Sequence, residues 1–319
     1  MKRRIGVCRA LDTFRYFTLW KTFLQGIGYE VVLSGPTNRN TIETGSRIAP
    51  AELCLPTKVF LGHVIELAKK VDVLCIPRIV CRRTAKDLFF GCPKSLALPD
   101  MTRALIPTLP STVELIIDER KSSEAGSFHR LAQDLGVNSG IWRDALQHAR
   151  IANKEFLPEN LSDYSFRSRK ESIQETDSEN SLLIGVVGHP YLLYDRELSL
   201  DLLDKLCKAG AKAIVPDGKG NSLVQKVPKE LLTNWIFETE LIEGAMGLVE
   251  QKQIKGLLLA SSFACGTSAV TNEVIRRLVK QRRPSMPVLT ILLDEHTAEA
   301  GLMTRLESFV DLIRLRTKQ

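Results

Sequence analysis

Three cysteines stand apart from the other four in this chain of 319 residues. Cys54 (Leu53-Cys54-Leu55-Pro56), Cys92 (Gly91-Cys92-Pro93-Lys94) and Cys265 (Ala264-Cys265-Gly266-Thr267) each lie in a loop flanked by Pro or Gly, just ahead of a segment that reads as a helix. A helix N-terminus lowers a thiol pKa and stabilises the thiolate, the form that binds iron or zinc. In a doubly wound sheet the loops after the strands open on one crevice, so thiols from distant loops can meet there. Two readings stay open on the residues alone: a thiolate site, or three unrelated buried thiols. Cys81 shares a loop with Cys92 beside Arg82 and Arg83, whose charge favours a thiolate. It reads as a fourth ligand, an auxiliary redox thiol or a bystander. Cys8, Cys75 and Cys207 fall in apolar segments and read as core thiols.

Three further residues are catalytic candidates. His189 (Gly188-His189-Pro190-Tyr191) sits just past a strand end, where either a turn or a functional group is expected. Glu295 and His296, in Asp294-Glu295-His296, follow another strand end and could do acid–base work or cap the following helix. His63, mid-helix in Gly62-His63-Val64, reads as a structural histidine.

Positioning these groups requires alternating strands and helices. Arg4–Cys8, Glu30–Ser34, Val71–Ile76 (stopped by Pro77) and Val113–Ile117 read as strands, with helices over Arg15–Gly28 and Pro56–Lys70. A nearly all-polar stretch, 166–181, reads as a linker. Beyond it come strands at Leu182–Val187, Ala211–Val215, Gly256–Ala260 and Pro287–Leu293. Helices follow at Glu197–Ala209, Leu241–Gln251, Ser268–Gln281 and Glu299–Leu315. The expected fold is α/β: two tandem doubly wound (Rossmann- or flavodoxin-like) parallel-sheet domains, 1–165 and 182–319, with a cleft between them.

Composition excludes several classes. An apolar fraction of 44% and a charged fraction of 25% are ordinary for a globular protein. No run of apolar residues is long enough for a membrane helix, and the basic start lacks an apolar signal segment, so a cytoplasmic location without membrane contact is expected. The net charge of +7 is dispersed rather than gathered with aromatics, which argues against nucleic acid as a partner. There is no Gly-rich phosphate loop, no G-x-S-x-G, no H-E-x-x-H and no C-x-x-C.

As a set these residues resemble the acyl-CoA dehydratase activase-related proteins of the 2-hydroxyacyl-CoA dehydratase and double-cubane-cluster superfamily. The matching blocks are Ile5-Gly6-Val7-Cys8-Arg9, Cys54-Leu55-Pro56-Thr57-Lys58 with Gly62-His63, Ile76-Pro77-Arg78, Cys92-Pro93-Lys94 with Leu98-Pro99-Asp100, Gly188-His189-Pro190-Tyr191, Cys265-Gly266, and Asp294-Glu295-His296-Thr297. The resemblance implies a [4Fe-4S] cluster held by Cys54, Cys92 and Cys265, open to fusion with a second cluster as a double cubane, and gives Cys81 no place. It implies a low-potential reductase or radical-type 2-hydroxyacyl-CoA dehydratase component, acting on a CoA ester. Such a component would need a separate ATP-dependent activase and pair with a related subunit or a second copy of itself. Its alternative is a non-catalytic electron-transfer or regulatory companion of such a dehydratase.

Overall fold

The computed structural model describes residues 2–84, 87–137, 140–154, 182–216 and 233–317. The chain divides into two compact units, Met1–Tyr164 and Ser165–Gln319. Each is a Rossmann-like layer of parallel strands with helices on its faces. The polar stretch 166–181 lies outside the described residues.

In the first unit the strands are β1 (Arg4–Val7), β2 (Glu30–Leu33), β3 (Val73–Thr84), β4 (Asp87–Phe90) and β5 (Ser111–Asp118). The helices are α1 (Thr13–Gly26), α2 (Arg39–Ile48), α3 (Leu55–Ala68), α4 (Pro93–Leu96), α5 (Leu98–Leu105), α6 (Glu124–Asp134) and α7 (Ile141–Lys154). The parallel order is β2-β1-β3-β5, with β4 antiparallel to the far end of β3. Pro77 was expected to stop the third strand, yet β3 runs through it. β1 flanks β3 only as far as Leu74, and β4 begins to pair only at Cys81. Pro77 falls in the gap, where β3 is an edge and proline is tolerated. Cys81 therefore lies inside a strand, fully buried, rather than in a loop with Cys92.

Helices α2 and α3 meet through glycine. A Cβ on Gly45 of α2 would run into the Lys58 carbonyl, and one on Gly62 of α3 into the Thr41 carbonyl. Thr41 and Gly45, like Lys58 and Gly62, are four apart and so share a helix face, which lets the two backbones touch.

The second unit has strands β6 (Leu182–Val187), β7 (Ala211–Ile214), β8 (Ile254–Ser262) and β9 (Val288–Leu293), all parallel in the order β7-β6-β8-β9. Its helices are α8 (Pro190–Tyr194), α9 (Arg196–Ser199), α10 (Leu202–Lys208), α11 (Ile236–Val249), α12 (Gly266–Arg282) and α13 (Glu299–Thr317). From Gly256 to Ser262 every residue of β8 is buried, as expected of a central parallel strand covered on both faces. The helix expected over Glu197–Ala209 is broken into α9 and α10, because Leu200 and Asp201 both take left-handed backbone angles. Cys207, expected in the core, lies on the exposed side of α10.

The two sheets share a detail. Gly6 on β1 pairs with Leu74, and Gly185 on β6 pairs with Leu257. A side chain at Gly6 would press on Leu74 and on Leu67 of α3; one at Gly185 would press on Leu257 and on Leu248 of α11.

Candidate functional site

In both units the chain reverses direction across the sheet between the first and third strands. That topological switch point is where such sheets open a crevice at the C-terminal strand ends.

In the first unit, Cys54 is the N-cap of α3, with Pro56 in the first turn, where a missing N–H does no harm. It is buried, and its Sγ lies 3.2 Å from Thr57 Oγ1. Cys92 is the N-cap of the short α4 and is partly exposed. Lys94 Nζ donates to the Glu52 carbonyl at 2.6 Å, tying the Cys92 turn to the loop that leads into Cys54. Arg78 anchors the other side: Nη1 donates to the Leu96 carbonyl at 2.7 Å and Nε to Glu114 at 2.7 Å. A Cβ on Gly91 would collide with the Ile79 carbonyl, so the residue before Cys92 has to be glycine. We expect Gly91→Ala to destabilise the unit by about 1–3 kcal/mol and to change the alkylation rate of Cys92 several-fold. Denaturant unfolding and timed iodoacetamide labelling check both.

The remaining thiols of this unit are core groups. Burial raises Cys8 far above the ordinary thiol range and pushes Cys75 up to about 12. Burial also raises Cys81, with Arg120 opposing. None of these is prone to ionise. His63 is buried within α3, its Nε2 lying 3.0 Å from Thr37 Oγ1, and burial holds its pKa down at about 4. It is a neutral structural histidine.

The second unit carries a buried polar network that the sequence reading found only in part. His189 follows β6 as the N-cap of α8 and is 5% exposed. Glu238 comes from the first turn of α11 and is 3% exposed. Cys265 is the N-cap of α12, reached from β8 through Ala264, whose φ of 60° is a strained value for a side-chain-bearing residue. Glu238 Oε1 accepts from Thr267 Oγ1 at 2.7 Å and from Ser268 Oγ at 3.1 Å, and lies 3.0 Å from His189 Nε2. Ser268 Oγ is also 3.4 Å from His189 Nε2. The Cys265 thiol donates to Ser268 Oγ at 3.2 Å, and its sulfur is 3.5 Å from Thr267 Oγ1. Burial would raise the Glu238 pKa, but His189 and the Thr267 hydroxyl outweigh it and hold the carboxyl down at about 2. Among the described residues, His189 Nδ1 and Glu238 Oε2 are buried and meet no hydrogen-bond partner.

Glu238, Thr267 and Ser268 were missed. A signal existed: Glu238 shares a helical stripe with Ile242, Ala245 and Val249, all buried, so an acid stands on an apolar face. Glu295 and His296 occupy a turn ahead of α13. There Asp294 Oδ1 accepts from the His296 backbone N–H at 2.9 Å and from Thr297 Oγ1 at 2.8 Å, and the His296 ring is exposed. Cys54 and Cys92 lie in the first unit and Cys265 in the second. Among the described residues, no three His, Cys, Asp or Glu side chains are grouped as metal ligands would be.

A family model described as the CoA enzyme activase uncharacterised domain (DUF2229) matches residues 4–218, more than half of the chain. The chain belongs to that family. The match takes in every strand and helix of the first unit and, in the second, β6, β7 and His189, and it ends before Glu238 and Cys265. No curated protein matches the chain. Membership of the CoA enzyme activase family corrects one expectation. The dehydratase component that awaits a separate activase, and its electron-transfer or regulatory companion, are both set aside, because the family is named for the activating side. The partnership runs the other way, from this chain toward a CoA enzyme. No helix among the described residues is long and apolar enough to cross a membrane.

Proposed function

We propose that the chain works on the activating side of a CoA enzyme, with an acyl-CoA dehydratase as its partner, and that its working groups are thiols at helix N-termini. The observation that carries this reading is the family match over residues 4–218, which includes both helix starts at Cys54 and Cys92. The tie from Lys94 to Glu52 supports it by holding those two starts together. The test uses purified acyl-CoA dehydratase from the same cells, kept without oxygen. Turnover that begins only when this chain is added, with reductant and ATP, is the expected result. Turnover unchanged by the chain would remove the reading.

The [4Fe-4S] cluster, its double-cubane form, a homodimer and a CoA-ester ligand are proposals resting on resemblance alone. Iron and acid-labile sulfide decide the first: about four of each per chain supports a cubane, and none after reconstitution removes it.

A further inference from the structure

We propose that the first unit carries a binding groove between α1 and α6, and that its occupant is one small uncharged aromatic molecule bearing an oxygen acceptor. The groove shares no residue with the thiol sites and does not depend on the CoA enzyme reading.

The sheet supplies the floor. Pro77 and Ile79 of β3 pair in register with Leu115 and Ile117 of β5, and alternate residues of a strand share a face. The helices supply the walls. Phe23 of α1 and Phe128 of α6 pack edge to face, with ring centroids 4.7 Å apart, and join the two helices there. Toward their N-termini the helices leave a space lined by Leu19 and Trp20. Tyr16, Arg82 and Glu124, all partly exposed, form its mouth. Each helix starts just after a strand, β1 or β5, so the mouth lies at the C-terminal ends of the strands. Sheets of this kind take their ligands there.

Size limits the occupant. Counted with the solvent at its mouth, the space is about 280 Å³, just below the usual range for cofactors and drug-sized ligands, so it suits a single ring. The walls favour an aromatic one. Tyr16, Trp20 and Phe128 offer ring faces and edges, whose pairing adds to the gain from burial.

The polar end sets the rest. Arg82 makes both of its hydrogen bonds from Nη1, to Glu119 at 3.3 Å and to Glu124 at 3.0 Å. Among the described residues its Nε and Nη2 hydrogens meet no acceptor, and a guanidinium has donors only. They are placed to serve an oxygen of the ligand. Arg150 also bonds Glu124, so two guanidinium groups face two carboxylates and the ion pairs at the mouth balance. A ligand carboxylate would meet Glu119 and Glu124 with no unspent positive charge to offset them. A ketone or hydroxyl oxygen meets only the donors.

The experiment titrates acetophenone into the full chain and follows the ligand by saturation-transfer NMR. Saturable binding with a Kd of about 1 mM or tighter is expected. Ethylbenzene, which lacks the oxygen, should bind about fivefold more weakly, the loss of one hydrogen bond. Benzoate should bind about tenfold more weakly than acetophenone or worse. Ile117→Phe fills the groove from its floor and should remove binding of all three. Trp20→Leu removes a wall ring and should weaken acetophenone about fivefold, which keeps the test open should Ile117→Phe fold poorly. Arg82→Met should bring acetophenone down to the level of ethylbenzene and leave ethylbenzene unchanged. Binding that does not saturate, or that survives Ile117→Phe and Trp20→Leu unchanged, overturns the groove. Ethylbenzene bound as tightly as acetophenone by the wild-type chain overturns the role of Arg82. Benzoate bound as tightly as acetophenone overturns the uncharged class.

Discussion

Replacing Gly62 by alanine is expected to lower the stability of the first unit by about 3 kcal/mol, the upper end of the usual penalty for forcing atoms into a packed interior. The added Cβ would fall on the Thr41 carbonyl, and neither partner can move cheaply, because both are backbone of adjoining helices. Gly45→Ala should behave alike, since its Cβ would meet the Lys58 carbonyl. The two helices would have to part, shifting α3 and the Cys54 cap at its start. For a unit of this size about 3 kcal/mol corresponds to a melting shift of about 6–12 °C. Gly301→Ala is the control. That glycine lies within α13, a Cβ there would meet nothing within 4 Å, and alanine should be neutral or stabilise by up to about 1 kcal/mol. Calorimetry on the three variants checks the contrast. Equal melting temperatures for Gly62→Ala and Gly301→Ala would show that the helices do not touch as described.

Acid should unfold the two units in separate windows. In the first, His63 is neutral, with a folded pKa near 4 against an ordinary 6.5, chiefly through burial. Its depressed pKa means the unfolded chain takes the proton more readily. The stability it contributes is complete above pH 6.5 and is lost as pH falls toward 4, by about 3 kcal/mol. In the second, Glu238 is ionised, with a folded pKa near 2 against an ordinary 4.5. Its contribution is complete above pH 4.5 and is lost between 4.5 and 2, again by about 3 kcal/mol. Trp142 of the first unit and Trp235 of the second give each a fluorescent reporter. His63→Gln should flatten the upper window alone, and Glu238→Gln the lower alone. A single transition shared by both reporters and unmoved by either variant would contradict the assignment.

The alternation of strands and helices was legible because each parallel strand is a short apolar run and each helix carries a 3.6-residue pattern. Long-range pairing was not. Pro77 reads as a stop unless one knows that β1 has already ended beside it. Leu200 and Asp201 read as helix because nothing local in their types demands left-handed angles. At the site, Cys54, Cys92 and Cys265 were placed at helix starts by their Pro and Gly neighbours, and the structure makes each an N-cap. Glu238 was hidden because an acid in a helix is ordinarily a surface residue, and only its stripe-mates mark it as buried. No single window of sequence joins Ser268 to His189 across 79 positions.

The matched glycines of the two sheets carry a consequence for how closely helix and sheet can approach. Gly6 with Leu74 and Gly185 with Leu257 mark the same place in two sheets of the same strand order, each beneath a leucine near the end of a 14-residue helix. With no side chain on either glycine, each of those helices lies closer to its sheet at that point than a larger residue would let it.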